Sequence, residues 1–238
     1  MRALRISLII FVVLAVLFIA ADRIAVNMAE SEAAEKVRTT QGLDGAESAS
    51  VSINGFPFLT QVMGKELGDV DVEMTGLTAS AGNRRISVTR VEAHLTDVKL
   101  EGNFDSAVAK EASGSADISY KDLNALAPDG VRVAYAGKER ADKNQVKITA
   151  SVQVLGQQVE IPSPIYSTVK ITGKNELELH AESIPASGVP GAEGEIRERV
   201  DFGSPIAGLP DGLELKETDA TEEGVTFALE GTDVELAG

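Results

Sequence analysis

The sequence predicts an α+β protein that is predominantly antiparallel β. Three observations predict it. Helical patterning is concentrated before residue 39, alternation of period two dominates from Val51 to Leu236, and glycine-bearing turns separate the alternating runs. Strands joined by hairpin turns, with few helices between them, form mainly antiparallel sheet.

Residues 1–21 open with a basic flank, Arg2 and Arg5, and continue as an uncharged, almost wholly aliphatic run from Ile6 to Ala21. Such a run reads as a secretory signal or a membrane anchor. Its sixteen residues make roughly 24 Å of helix, a little short of a bilayer core unless Ile24 to Val26 extend it. A small-x-small cleavage pattern is missing, because Phe18 and Ile19 stand where Ala20 and Ala21 would need small partners. A retained signal anchor is therefore expected, with a cleaved signal as the alternative. A buried core helix would need the polar face that this run lacks. The positive-inside rule puts Arg2 and Arg5 in the cytoplasm and the chain from Asp22 onward outside.

Residues 22–48 form the next unit, a helix and its connection. Through Arg38 they are rich in Ala and Glu, lack Gly and Pro, and set Ile24, Met28 and Val37 at loosely helical spacing. The stripe is thin, so the helix is either a stalk or awaits a partner surface. Gly42 and Gly45 punctuate its end.

Residues 49–238 read as one β-rich domain, without repeats or a linker. Val51 and Ile53 begin the alternation, followed by Val70, Val72 and Met74, by Ile86 and Val88, and by Leu95, Val98 and Leu100. The clearest strand is Gln145 to Leu155, where Val146, Ile148, Ala150, Val152 and Val154 share one face and Lys147, Thr149, Ser151 and Gln153 the other. Val169 and Ile171, the turn Gly173-Lys174-Asn175, and Leu177, Leu179 and Ala181 predict a hairpin. Leu213 and Leu215, then Val225, Phe227 and Leu229, then Val234 and Leu236 give the last strands. Helices intrude briefly. Ser119 and Asp122 form a capping-box pattern before Leu123 to Leu126, which Pro128-Asp129-Gly130 ends, and residues 194–202 predict another short helix.

Composition narrows the function. The chain has 238 residues, 43% hydrophobic and 25% charged, enough to bury one sizeable core or two small ones. Aromatic content is 4% with no Trp, so its apolar surface is aliphatic, with Phe as the main aromatic element. Two of the 22 basic side chains lie in residues 1–21, so 20 basic face 37 acidic side chains beyond them, a net charge of −17. That balance speaks against nucleic-acid binding and against general attraction to anionic bilayers. The absence of Cys removes disulfides, thiolate nucleophiles and thiolate metal sites. Only His94 and His180 are present, neither in a metal or triad pattern, and both read as solvent-facing strand residues. Asp69 with Asp71, and Glu222 with Glu223, lack the spacing of a calcium loop and read as solvated carboxylates. No catalytic residue, cofactor or metal is called for.

One cluster is distinctive: Ile53-Asn54-Gly55-Phe56-Pro57-Phe58-Leu59-Thr60-Gln61-Val62-Met63. Two Phe flank a Pro directly after a strand, ahead of a short amphipathic turn. Such a loop either plugs the end of a curled sheet as core or lines the entrance of an apolar cavity. In the second case Phe56, Phe58, Leu59, Val62 and Met63 are the candidate lining of that entrance.

The stretch VSINGFPFLTQ at 51–61, the strand GDVDVEMTGL at 68–77, ISYKDL at 118–123 and the closing LPDGLELKETDATEEGVTFALEGTDVEL at 209–236 resemble the LmeA-type phospholipid-binding proteins of actinobacteria. With the N-terminal segment the resemblance spans nearly the whole chain, and GFPFLTQ is its most specific part. It implies a curved antiparallel sheet wrapped around helix, similar to the tubular lipid-binding domain of bactericidal/permeability-increasing proteins. It also implies phospholipid ligands, phosphatidylinositol among them, a place in envelope lipid or lipoglycan biogenesis, and no catalytic residues. A sheet with one aliphatic face can enclose acyl chains, each buried methylene contributing about 0.8 kcal/mol.

Two function classes follow. The first is a membrane-tethered phospholipid carrier, which a large continuous cavity would support. The second is a non-catalytic structural or protein-interaction module of the cell envelope, which a filled interior would favour. A hydrolase or transferase would need a histidine and carboxylates converging in a cleft.

Overall fold

The structure, a computed structural model, describes residues 2–39, 46–81, 84–104, 106–154, 157–161, 163–173, 175–184, 194, 196–197, 200–207 and 209–236. It begins with one unbroken helix, α1 (Arg2–Thr39), in which residues 2–21 are exposed almost throughout. From Asp22 one face becomes covered. Ala25, Val26, Ala29, Ala33, Ala34 and Val37 recur at helical spacing against the sheet, with Val26 buried. Ile24 and Met28, expected on the apolar stripe, point outward instead. The buried stripe is mostly alanine, whose low hydrophobicity hid it, and it brings the helix close to the sheet. The partner surface is present, so this half of α1 is not a free stalk.

The strands are β1 (Ser48–Asn54), β2 (Glu66–Ala81), β3 (Arg84–Glu101), β4 (Ser106–Ser119), β5 (Val131–Tyr135), β6 (Gln145–Val154), β7 (Gln157–Glu160), β8 (Ile165–Thr172), β9 (Glu176–Ser183), β10 (Phe202–Ala207), β11 (Leu213–Ala220) and β12 (Gly224–Leu236). All described pairings are antiparallel, in the order β11-β12-β4-β3-β2-β10-β9-β8-β6-β5, with β1 also on β2 and β7 on β6. Short helices α2 (Phe58–Gly64), α3 (Tyr120–Leu126) and α4 (Lys138–Ala141) fill connections. Ser119 caps α3 by accepting from the Asp122 N–H, as its sequence pattern predicts. Of the helix expected at 194–202, Gly194, Ile196, Arg197 and Val200 are helical and Phe202 begins β10; residues 195, 198 and 199 lie outside the described residues, as do Lys174 and Leu155.

The sheet is the expected curved α+β architecture, a strongly curled half-barrel, and its long strands are creased. Pairing skips the row Gly68, Asp97, Lys110 and Asp233 across β2, β3, β4 and β12. Asp97 and Asp233 in that row have left-handed φ of 50° and 51°. In a flat strand, residues three apart face opposite sides. Here Leu67 and Val70, Leu95 and Val98, and Ala109 and Ala112 are all buried, so the crease turns both sides of the row inward. Gly114 lets β4 lie close on β3, since a Cβ there would sit 2.2 Å from the Glu92 carbonyl oxygen.

Two cores result. Near the end where α1 meets the sheet, Val26, Val51, Phe58, Val70, Leu95 and Val98 pack together. Burying Phe58 alone contributes about 1.5–3 kcal/mol. Beyond, Leu77, Val88, Ile118, Val225, Phe227 and Leu229 pack against Val133, Val146, Ile148, Ile165 and Val169 of the second half of the sheet.

Candidate functional site

The second core contains an apolar cavity of about 50 Å³. Leu123 and Leu126 of α3 close one side; Val133, Val146 and Val169 form the strand wall; Leu177, Leu179 and Ile206 line another side, and Val225 and Phe227 face them. Glu178 is the single polar residue among those that line it. The alternation read at Val146, Val169, Leu177, Leu179, Val225 and Phe227 therefore carries the lining. The cavity is small against an acyl chain of ordinary length.

The curled sheet approaches closure where β11 meets β8, and the closure is made by side chains, not by a strand ladder. Asn175 Oδ1 accepts from the Leu215 N–H at 3.0 Å. Asn144 donates to the Val169 carbonyl at 2.9 Å and to Thr218 Oγ1, and Thr218 Oγ1 donates to the same carbonyl at 3.2 Å. Val169 thus belongs to both the cavity wall and the seam. Asn144 and Asn175 sit in turns, where asparagine is ordinary, so nothing in the sequence marked them as clasps. Asn124 performs a similar service for β5, whose Val133 N–H donates to Asn124 Oδ1 at 2.7 Å and whose Val133 carbonyl accepts from Asn124 Nδ2 at 2.8 Å.

The Phe-Pro cluster lies elsewhere, beside the point where α1 leaves its apolar stretch. The Phe56–Pro57 peptide is cis. Asp22, fully buried, accepts the Leu59 N–H at 2.8 Å and pairs with Arg23 at 2.7 Å, which fastens α2 to α1. Farther along, Glu30 accepts the Ile53 N–H at 2.8 Å. Phe58 is buried against α1 and the sheet, and Leu59 and Val62 are half-buried. Phe56 is 58% exposed and Met63 is 85% exposed. The structure therefore brings the five candidate residues together at one end, with Phe58 as core, while the cavity is lined by other residues. Residues 2–21 of α1 are long and apolar enough, as part of one helix, to cross a membrane or to act as a signal sequence.

His94, Asp69 and Asp71, read separately in the sequence, meet on the outer face because Asp71 pairs in register with His94. Their ligating atoms lie within 4.8 Å of one another. His94 Nδ1 is 2.8 Å from Asp71 and Nε2 is 3.4 Å from Asp69, while Asn54 Nδ2 donates to both carboxylates at 2.7 and 2.8 Å. The hydrogen bond with Asp71 and the charge of Asp69 raise the His94 pKa, and the same bond, with that from Asn54, lowers that of Asp71. All three side chains are well solvated. His180 is half-exposed and lies 3.4 Å from Asp201, which also accepts the Ala181 N–H and pairs with Arg197. Neither histidine borders the apolar cavity.

A family model described as LmeA-like phospholipid-binding matches residues 20–230 of the chain. No curated protein and no solved structure matches it.

Proposed function

The chain belongs to the LmeA-like phospholipid-binding family, and from that premise we propose that it is an extracytoplasmic, membrane-tethered phospholipid carrier of the cell envelope, and not a catalyst. The observation that carries the reading is the family match over residues 20–230, which covers β1 to β11 and the first half of β12. The apolar cavity supplies the physical means. Acyl chains occupy the space between the two sheet halves, where Val146, Val169, Leu179 and Phe227 offer only hydrocarbon. At about 50 Å³ the cavity is too small for a chain, so binding requires the walls to part. The β8–β11 seam is the place for that, because side-chain amides hold it and no backbone ladder has to break. Phosphatidylinositol-type lipid is the headgroup to try first, and transport or lipoglycan biogenesis is the process served. Phe56, Phe58, Leu59, Val62 and Met63 stand on this reading at the membrane-facing end by which lipid approaches.

Native mass spectrometry with parallel lipid extraction tests it, on residues 22–238 expressed in an actinobacterial host. One copurifying phospholipid per chain is expected, with Leu126→Trp lowering the occupancy while far-ultraviolet circular dichroism stays unchanged. A folded protein that carries no lipid and takes none from liposomes refutes the carrier reading. The structural or protein-interaction module would then be favoured.

A further inference from the structure

We propose that the domain seats itself on the bilayer that α1 enters, through a rim of three exposed apolar side chains, Phe56, Met63 and Phe104, so that the sheet is held at a fixed orientation and does not swing on a tether. The inference rests on residues 6–21 being a membrane anchor. Beyond that it stands on a chain of contacts around the point where the anchor ends.

Asp22 follows the apolar run directly, and its carboxylate holds the Leu59 N–H at 2.8 Å. The loop before α2 and the helix itself are thus fixed at the membrane exit. Arg23 lies over the Phe56 ring at 5.3 Å. Lys65, which ends α2 next to Met63, reaches the β3–β4 turn: its Nζ donates to the Gly102 carbonyl at 3.0 Å and lies 5.8 Å from the Phe104 ring centre. The Leu100 N–H donates to the Lys65 carbonyl at 3.0 Å. Three segments distant in sequence are thereby tied together at one end of the molecule.

The loop with α2 presents Phe56 and Met63 to the outside, and the β3–β4 turn presents Phe104. Phe56 is 58%, Met63 85% and Phe104 51% exposed, in a domain whose other exposed large apolar side chains, among the described residues from 22 onward, are Ile24 and Met28 of α1 itself. Phe rings flanked by Arg and Lys suit the boundary between headgroups and acyl chains, where the ring is apolar and the cation stays wet. Length argues the same way. The uncharged run supplies roughly 24 Å against a hydrocarbon core of about 30 Å, and a short span draws its flanking residues toward the membrane. Asp22 cannot reach outward to relieve the mismatch, since its carboxylate is committed to Leu59 and Arg23. Glu66 and Glu101, both exposed, adjoin Lys65 and Gly102 in the chain and offset the rim's cations, so apolar insertion, and not attraction to anionic lipid, is the driving force.

The natural absence of Trp makes the test direct. Full-length chains carrying one tryptophan each, Phe56→Trp, Met63→Trp or Phe104→Trp, are reconstituted in phosphatidylcholine nanodiscs containing lipid brominated near the top of its acyl chains. Phe11→Trp reports the anchor, and Glu222→Trp, in the exposed β11–β12 turn at the other end, reports bulk solvent. Blue-shifted emission that the brominated lipid quenches is expected at all three rim positions, unchanged by added salt, with Glu222→Trp unquenched. Rim probes that stay unquenched while Phe11→Trp is quenched overturn the seat and leave the anchor standing. Rim probes that are blue-shifted but unquenched assign the surface to a protein contact and overturn it too. If Phe11→Trp is itself unquenched, the anchor fails and the seat fails with it.

Discussion

Replacing Asn175 by leucine separates the structural role of the seam from its role in access. The change removes the acceptor of the Leu215 N–H, 3.0 Å away, on a residue that is buried. A buried donor left without a partner costs about 1–3 kcal/mol. The second bond of Asn175, to the Leu213 carbonyl at 3.5 Å, is long and adds little. A central value of about 2 kcal/mol lowers the melting temperature by roughly 4–8 °C for a chain of this size. The same free energy acts on local opening of β11 from β8, and since 1.4 kcal/mol is tenfold, the open population rises by about 5- to 150-fold. Hydrogen exchange across Leu213 to Thr218 measures that opening, and uptake of a fluorescent phospholipid from vesicles measures access. Both rates are expected to rise together. Val98→Ala, in the core facing α1, is the control: it lowers stability without accelerating uptake. Faster exchange with unchanged uptake refutes the seam as the way in, and a stability change within about 0.5 kcal/mol refutes the bond as a clasp.

Phe58→Ala removes a buried ring from the core between α1 and the sheet, and urea titration is expected to show a loss of about 3–5 kcal/mol. The phenol of Tyr120 donates to the Thr221 carbonyl at 2.8 Å, so Tyr120→Phe costs about 1 kcal/mol. Burial pushes that phenol's pKa up to about 12, so the Tyr120 phenol is expected to ionise only near that pH in an ultraviolet titration, a step that Tyr120→Phe removes. The His94 cluster gives a pH signature. Its raised imidazole stabilises fully below the ordinary 6.5 and loses that contribution as pH rises through the raised value. The lowered Asp71 carboxylate stabilises above 3.8 and loses its contribution as pH falls through the lowered value. The cluster therefore helps most between about pH 4 and 6.5, and His94→Gln is expected to flatten the alkaline side of the urea-midpoint profile.

Much of the site-bearing architecture was legible because it rests on local pattern. The uncharged run Ile6 to Ala21 marks a helix that serves as a membrane anchor or a signal sequence, and strict alternation at Gln145 to Leu155 predicts a strand with one greasy face. The Phe-Pro cluster stood out by composition alone. Legibility failed where geometry departs from the ideal element. The stripe of α1 is written in alanine, which no hydrophobicity pattern singles out. The crease at Gly68, Asp97, Lys110 and Asp233 makes residues three apart share a face, against the period that sequence reading assumes.

By itself, then, the sequence determined the predominantly antiparallel β class, the N-terminal apolar helix, the acidic balance of charge and the aliphatic character of the interior, because each depends on composition or on residues close together in the chain. Tertiary structure alone decided which apolar residues enclose a cavity and which face outward. Phe56 and Phe58 are two residues apart in one motif, yet one is exposed and the other buried, because Asp22, far away in sequence, holds the first turn of α2 against α1. The seam likewise joins Asn144 to Thr218 and Asn175 to Leu215 across long stretches of chain. Such contacts follow from sheet curvature, a property of the whole strand array that no single segment encodes.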